Sequence, residues 1–160
     1  MDFEKRLERA IVRGKQTRDA RSRSQDEQAL SEGYLKNLHS KCRLDLSEHI
    51  EDCLRNLADH FPGFRFQTVV SEDGWGAMIN RDDLLRRAGE AVDFYSRFEM
   101  LIRPFGAAHI VELAAKATVR NKEIFNRSHY QFLNQVDVDS FREMIDLWVL
   151  EYAEQFAART

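Results

Sequence analysis

Three side chains that can bind a metal ion occur at helical spacing in one stretch of the sequence: Asp45, His49 and Cys53. Residues four apart lie on one face of a helix, so this face would present a carboxylate, an imidazole and a thiol, with Asp52 close by. Such spacing also arises by chance, and Cys53 belongs to the apolar stripe of the same predicted helix. We therefore expect these residues to have structural roles and predict no metal site.

No pattern typical of an enzyme active site occurs in the sequence. There is no Gly-x-Ser-x-Gly motif, no Ser, His and Asp at triad spacing and no phosphate-binding glycine loop. The segment Gly74-Trp75-Gly76 is too short for such a loop, and the strand register predicted below keeps His109 and His129 apart. We predict no catalytic residue and no cofactor, and we favour a protein that is not an enzyme.

Length and composition favour a globular domain with a substantial core. The chain has 160 residues, of which 43% are hydrophobic and 32% charged, and a chain of this size buries roughly 70% of its unfolded surface. The net charge of −3 gives no overall attraction to nucleic acid or to an acidic membrane. We therefore expect neither nucleic acid nor a membrane as a partner.

The cysteines and the lack of targeting segments indicate the cellular compartment in which the protein is expected. Cys42 and Cys53 lie eleven residues apart in a predicted helix, which is too far for a disulfide bond, so reduced thiols are expected. The sequence starts without a signal-peptide pattern, and no apolar run approaches the ~20 residues needed to span a bilayer. We predict a cytoplasmic protein.

Helical periodicity appears at both ends of the chain. Residues 2–12 carry Phe3, Leu7 and Ile11 at four-residue spacing. Residues 13–24 carry five Arg and Lys against one Asp, a local charge of +4, so this part is interpreted as a solvated helical face or a frayed arm, with phosphate contact as the less favoured alternative. A longer apolar stripe runs from Leu30 to Phe61, and a C-terminal helix is predicted over 138–158. We divide the chain into residues 1–29, an N-terminal amphipathic helix and basic segment, and residues 30–160, a single α+β domain.

Between these helices the apolar residues alternate, which predicts strands. An Asp73-Gly74 turn would pair Val70 with Ala77, and residues 82–89 would form a helical connector. An Asn121-Lys122 turn would pair Leu113 with Tyr130 and place both on the inner face of the sheet. The predicted fold class is α+β, with long N-terminal helices and a C-terminal helix packed on one face of a mostly antiparallel, about five-stranded meander sheet.

The opposite face of the predicted sheet carries mainly charge. The same registers make Glu99 and Glu112 cross-strand neighbours and align Leu101, Ile110 and Leu133 across three strands. An apolar row on a solvent-facing sheet requires a cover, which would be the N-terminal helix of the same chain, a second copy or another protein.

Two functions follow from these surfaces. The first is a protein interaction or adaptor module without catalytic activity, acting as a homodimer or as a subunit of a complex, with partner-binding residues Leu101, Ile110, Leu133, Phe3, Leu7 and Ile11. The alternative is a small-ligand-binding protein or an enzyme of unrecognised type, with a pocket between sheet and helices lined by Phe98, Met100, Tyr130, Trp148 and Tyr152. Binding folds of this size, secretion chaperones among them, share this order of elements, but fold analogy does not assign a function.

Overall fold

A computed structural model describes the backbone of residues 2–159, and all side chains in that range except those of residues 26–30 and 85–87. The side chain of Leu30, the first residue of the longer predicted stripe, therefore lies outside the described residues. The backbone at the predicted boundary between residues 29 and 30 is helical. The chain divides into two compact units, residues 1–37 and 38–160. Each unit is described by itself.

The first helix, α1, spans Phe3–His60 and supplies residues to both units. Its sequence is rich in Ala, Glu, Gln, Lys and Arg and contains no proline, so the polar stretch over 13–24 is helical as well. In the first unit every side chain from residue 2 to residue 25 is exposed. The helix ends before Pro62 and Gly63, as predicted, and Gly63 adopts a φ of 107°.

The second unit contains a five-stranded antiparallel sheet in the order β1-β2-β3-β4-β5, so each strand pairs with its neighbour in sequence. The predicted α+β class, with helices on one face of an antiparallel meander, is confirmed. Among the described residues no helix combines the length and the apolarity needed to cross a membrane. The elements are β1 Arg65–Ser71, β2 Gly74–Arg87, β3 Glu90–Ile102, β4 Ile110–Val119, β5 Lys122–Phe132, a 3-10 turn Leu133–Gln135 and the helix α2 Val138–Arg159.

One face of the sheet, here called the inner face, carries the core. Phe98 of β3 is fully buried and stacks on Tyr152 of α2, with ring centroids 4.6 Å apart. The part of α1 in this unit buries one face, with a buried residue in each successive turn, and α2 does the same. The buried hydrophobic residues that these two helices contribute are Cys42, Leu46, Ile50, Leu54 and Leu57 of α1, and Phe141, Ile145, Trp148, Tyr152 and Phe156 of α2. Cys42 and Cys53 are free thiols, as predicted.

The first hairpin turns one residue earlier than predicted, which displaces the strand pairing by two residues. Ser71 pairs with Gly74, so Val70 faces Trp75 and not Ala77. The predicted type I′ turn needed a positive φ at Asp73, but the positive φ falls on Gly74 alone, at 145°. Because the shift is two residues, the same side chains remain on each face of the strand.

The predicted helical connector over residues 82–89 is wrong, because β2 continues through it to Arg87. The turn is formed by Ala88 and Gly89, whose φ values of 52° and 82° suit a two-residue hairpin. Asp82 and Asp83, which suggested a helix cap, instead pair with Arg65 and Arg81. The two aspartates that suggested a helix cap therefore form ion pairs on the sheet.

The predicted register between β4 and β5 is also wrong. The turn consists of Arg120 and Asn121, with φ values of 47° and 69°, which displaces the pairing next to it by two residues. An irregularity between Ala117 and Thr118 reverses one of these, so the rest of the strand is displaced by one. Leu113 therefore faces His129 and not Tyr130. A shift of one residue exchanges the two faces of a strand, so Tyr130 points away from the core.

Contacts with α2 and with the segment before it explain why polar residues of β5 occupy the inner face. The ring of His129 lies against Phe141, with centroids 5.3 Å apart. The guanidinium group of Arg127 donates two hydrogen bonds, of 2.8 and 3.1 Å, to the carboxylate of Glu151. Gln131 accepts a 2.7 Å hydrogen bond from the backbone N–H of Asp137. Each of these side chains finds a polar or aromatic partner that alternation in the sequence could not reveal.

Candidate functional site

The predicted apolar row on the outer face of the sheet does not form. Leu101 lies opposite Ala114, while Ile110 lies opposite Phe132. Leu133 follows β5 in the 3-10 turn and is 1% exposed, and Leu101 is 6% exposed. The alignment was wrong for two reasons: the pairing of β3 with β4 is displaced by four residues, so Leu101 does not meet Ile110, and the misplaced β4–β5 turn displaces Leu133 by one residue from Ile110. Replacing Leu101 would therefore disturb a buried position and would not report on a partner.

Charges on the outer face are paired with opposite charges. Glu99 lies opposite Lys116, and Arg103 Nε is 3.5 Å from Glu112 Oε1. The prediction that Glu99 and Glu112 are cross-strand neighbours is therefore wrong. These residues surround a cavity of about 360 Å³ with Leu101 in its lining. Because these opposite charges neutralise one another, they favour a solvated surface over a site that selects ligands of one charge.

The residues of the predicted ligand pocket do not line a common cavity. Phe98, Met100 and Tyr152 are fully buried in the core, and Trp148 is 6% exposed. The Tyr152 hydroxyl donates a 2.9 Å hydrogen bond to the carbonyl oxygen of Thr118, and burial raises the pKa of this phenol. Tyr130 is on the outer face and is 55% exposed. A ligand-binding role for these residues stays a prediction.

In the first unit, an exposed row of apolar side chains follows the helix. Phe3, Leu7 and Ile11 are 74%, 47% and 50% exposed. Four-residue spacing places them on one face of the helix, and we call this row the N-terminal stripe. A single helix cannot bury its own apolar face, and these three side chains are exposed to solvent.

A cluster of three potential metal ligands lies between α1 and α2 in the second unit. His49 Nε2 is 2.8 Å from Asp146 Oδ1, and Cys53 Sγ is 3.6 Å from His49 Nε2. Cys53 Sγ also donates a 3.5 Å hydrogen bond to Asp146 Oδ1. One nitrogen, one sulfur and one oxygen atom thus lie within 4.8 Å of one another. We call these residues the His–Cys–Asp cluster.

Burial affects the protonation of this cluster. Desolvation, together with the hydrogen bond to Asp146, raises the pKa of the Cys53 thiol to about 12. The carboxylate of Asp146 is half exposed and the imidazole of His49 is 27% exposed, so solvent reaches the cluster. At neutral pH the thiol is therefore protonated and donates to the carboxylate.

Comparison with protein-family models, with curated proteins and with solved structures gave no match to this chain. Any functional assignment consequently depends on the geometry of its own residues.

The cluster contains two of the three residues that sequence spacing had brought together. Asp45 does not join them, because its carboxylate pairs with Arg142 of α2. Asp146 takes the third place, and it lies 93 residues after Cys53. Helical periodicity identifies neighbours only along one helix, so no sequence signal pointed to Asp146.

An apolar groove borders the His–Cys–Asp cluster. Its volume is about 490 Å³, and Cys53 and Asp146 contribute to its lining. Leu150 on its rim is 65% exposed. The remaining lining residues are mostly apolar and come from α1, α2 and the turn after α1: Asn56, Leu57, His60, Phe61, Val149 and Ala153. The cluster therefore has an open, largely apolar side.

Proposed function

We propose that this chain is a protein interaction module without catalytic activity that acts as a homodimer, joined through its N-terminal stripe. The observation that carries the proposal is the exposure of Phe3, Leu7 and Ile11, at 74%, 47% and 50%. Leu101 and Leu133, which the sequence assigned to the same role, are excluded because they are buried. Ile110 is half-buried and pairs with Phe132 at the edge of the outer face.

Apolar contact supplies the free energy for this association. Fully burying one Leu, Ile or Phe side chain contributes about 1.5–3 kcal/mol, and two copies bring together two equal stripes. A helix in a protein gains most of its stability from the tertiary packing of its apolar face. Self-association with two-fold symmetry is the most common way in which identical chains bury such a face.

Charge around the stripe opposes the association of two copies. Residues 3–23 contain eight Lys and Arg and three Asp and Glu, a net charge of +5. Two such helices repel one another at low ionic strength, and salt screens this repulsion. Binding to an acidic partner protein would have the opposite dependence, because salt would weaken it. The salt dependence therefore distinguishes a second copy from an acidic partner.

Sedimentation equilibrium of the full chain tests the proposal. We expect a dimer whose dissociation constant falls as salt is raised. Leu7→Glu should weaken the dimer by at least about tenfold, since burying a charge in an apolar contact costs more than 1.4 kcal/mol.

Val12→Glu is the matched control for this experiment. Val12 is 52% exposed on the same helix but lies away from the stripe, and the substitution introduces the same charge. The dimer should survive it with little change. A wild-type monomer throughout the accessible concentration range, or equal weakening by Leu7→Glu and Val12→Glu, would overturn the proposal.

A further inference from the structure

The geometry of the His–Cys–Asp cluster points to a binding site for a divalent transition metal ion of the zinc type, and we propose that His49, Cys53 and Asp146 bind Zn²⁺. This inference is independent of the dimer proposed above. It replaces the expectation from sequence that these residues have only structural roles.

The first argument is the chemical identity of the three ligands. Zn²⁺ binds imidazole nitrogen, thiolate sulfur and carboxylate oxygen, and in sites with three protein ligands a water molecule or another small ligand completes the tetrahedron. This mixed set suits borderline metals, whereas Mg²⁺ and Ca²⁺ favour oxygen ligands. The three atoms come from His49 and Cys53 on one helix and Asp146 on another.

The second argument is the separation of the three atoms. Bonds of about 2.0–2.1 Å to nitrogen and oxygen and about 2.3 Å to sulfur separate the ligand atoms of a tetrahedral zinc site by about 3.3–3.6 Å. The distances from Cys53 Sγ to His49 Nε2 and to Asp146 Oδ1 are 3.6 and 3.5 Å. The His49–Asp146 distance is 2.8 Å and must lengthen by roughly half an ångström. A small rotation of the half-exposed Asp146 side chain accommodates this change.

The third argument is the fixed position of the ligands together with an open side. His49 and Cys53 are four residues apart on α1, so the helix holds both on one face. The core contacts of Ile145 and Trp148 hold the turn of α2 that carries Asp146. The groove of about 490 Å³ beside Cys53 and Asp146 leaves room for a fourth, non-protein ligand.

Binding is an exchange of a proton for the metal ion and involves no change of oxidation state. The bond between Cys53 Sγ and its proton is broken, a bond from Sγ to the metal forms, and the proton passes to the buffer. His49 gives up its hydrogen bond to Asp146 and binds through the lone pair of Nε2. Asp146, already a carboxylate, binds through Oδ1.

Titration of the tag-free, metal-depleted full chain with Co²⁺ tests the site directly. We expect one Co²⁺ per chain, a thiolate-to-cobalt charge-transfer band in the near ultraviolet and the strong visible bands of tetrahedral Co²⁺. Zn²⁺ should displace the cobalt, bleach both bands and raise the melting temperature of the protein.

Variants assign the ligands. Cys53→Ser should abolish the charge-transfer band, and His49→Gln and Asp146→Asn should each weaken Co²⁺ binding by at least about 100-fold, since even outer-shell changes cost 10–100-fold. Matched controls are Cys42→Ala and Asp52→Asn, which remove a thiol and a carboxylate from the same helix and should leave binding unchanged. Circular dichroism of each metal-free variant verifies that it is folded.

Several results would overturn the inference. Absence of a charge-transfer band in the wild type would do so, as would a band that depends on Cys42 in place of Cys53. Retention of full affinity in Asp146→Asn would also do so. Asp146 is half exposed, so this variant folds even if Cys53→Ser does not, and the test stays decisive.

Discussion

His39 is one of two polar residues buried in the core among the described residues, the other being Ser96. It is 2% exposed, and its Nε2 donates a 3.1 Å hydrogen bond to the carbonyl oxygen of Arg103. This contact requires a proton on Nε2. Burial lowers the pKa of His39, and the nearby charge of Arg43 lowers it further, against the hydrogen bond that raises it.

Protonation of His39 should couple stability to pH. In the unfolded chain the imidazole titrates near its ordinary value of 6.5, while in the folded chain it resists protonation. As pH falls below about 6.5 the unfolded state therefore binds the proton first, and the free energy of unfolding decreases until the folded pKa is passed.

Urea unfolding of wild type and His39→Gln between pH 7 and pH 5 measures this effect. The free energy of unfolding should fall more steeply with decreasing pH in the wild type than in the variant. The difference between the two slopes should be at most about 1.4 kcal/mol per pH unit. His60→Gln is the control, because His60 lies at the exposed end of α1. Parallel pH profiles for wild type and His39→Gln would contradict the prediction.

At the level of the elements, alternation and helical period predicted the strands and helices apart from residues 82–89, where a strand continues in place of the predicted helical connector, but they did not predict where the turns fall. The β4–β5 turn was placed at Asn121-Lys122, whereas Arg120 and Asn121 form it. Asn121 is held there by its side chain, which accepts from the backbone N–H of Tyr95 and donates to the carbonyl oxygen of Asp93. These partners are more than twenty residues away, so local turn preferences could not locate the turn.

The candidate sites, like the strands and turns, were predicted only in part from the sequence. Phe3, Leu7 and Ile11 were predicted from spacing as partner-binding residues of an amphipathic helix; the structure leaves them exposed, and their binding role stays a prediction. The outer row failed because it depended on two predicted turns: β3 pairs with β4 four residues from the predicted register, and β4 pairs with β5 one residue from it, which exchanges the faces of β5. Two of the three residues of the His–Cys–Asp cluster were identified from the sequence, because His49 and Cys53 are four apart on one helix. Asp146 lies on α2, and helical spacing could not identify it.

Close approach of β2 and β3 makes Gly76 sensitive to substitution. A Cβ atom at Gly76 would lie 1.9 Å from the carbonyl oxygen of Met100, so the two strands must move apart to accept it. We expect Gly76→Ala to lower the free energy of unfolding by about 1–3 kcal/mol.

Gly106→Ala is the control for this substitution. A Cβ atom there meets nothing within 4 Å, and its φ does not favour glycine, so the free energy of unfolding should change little or rise slightly. Both variants are to be compared by urea unfolding under the same conditions. Equal stabilities of Gly76→Ala and wild type would show that the strands separate at no cost.

At the scale of the whole molecule, the two units differ in what they bury. The buried apolar residues of the described chain lie between Cys42 and Phe156, all of them in the unit of residues 38–160. In the other unit, the side chains of residues 2–25 are exposed. The second unit should consequently be stable without the first.

A fragment of residues 38–160 tests this expectation. Its free energy of unfolding in urea should lie within about 1 kcal/mol of that of the full chain, because surface changes away from a core contribute little. The comparison is made in a Leu7→Glu full chain, since a dimer would add stability by mass action. A fragment lacking α2 is the control and should not fold, because α2 supplies five buried side chains. A fragment 38–160 without cooperative unfolding would contradict the expectation.

The order of the sheet also bears on how the chain reaches this structure. Because each strand pairs only with its neighbour in sequence, the sheet can form one hairpin after another with short loop closures. The core is different, since residues 42–57 pack in the same layer as Phe141–Phe156. On a ribosome, the strands could assemble as they emerge, but the inner face would remain partly uncovered until α2 had been synthesised. Completion of α2 is thus the step that covers the inner face of the sheet during synthesis.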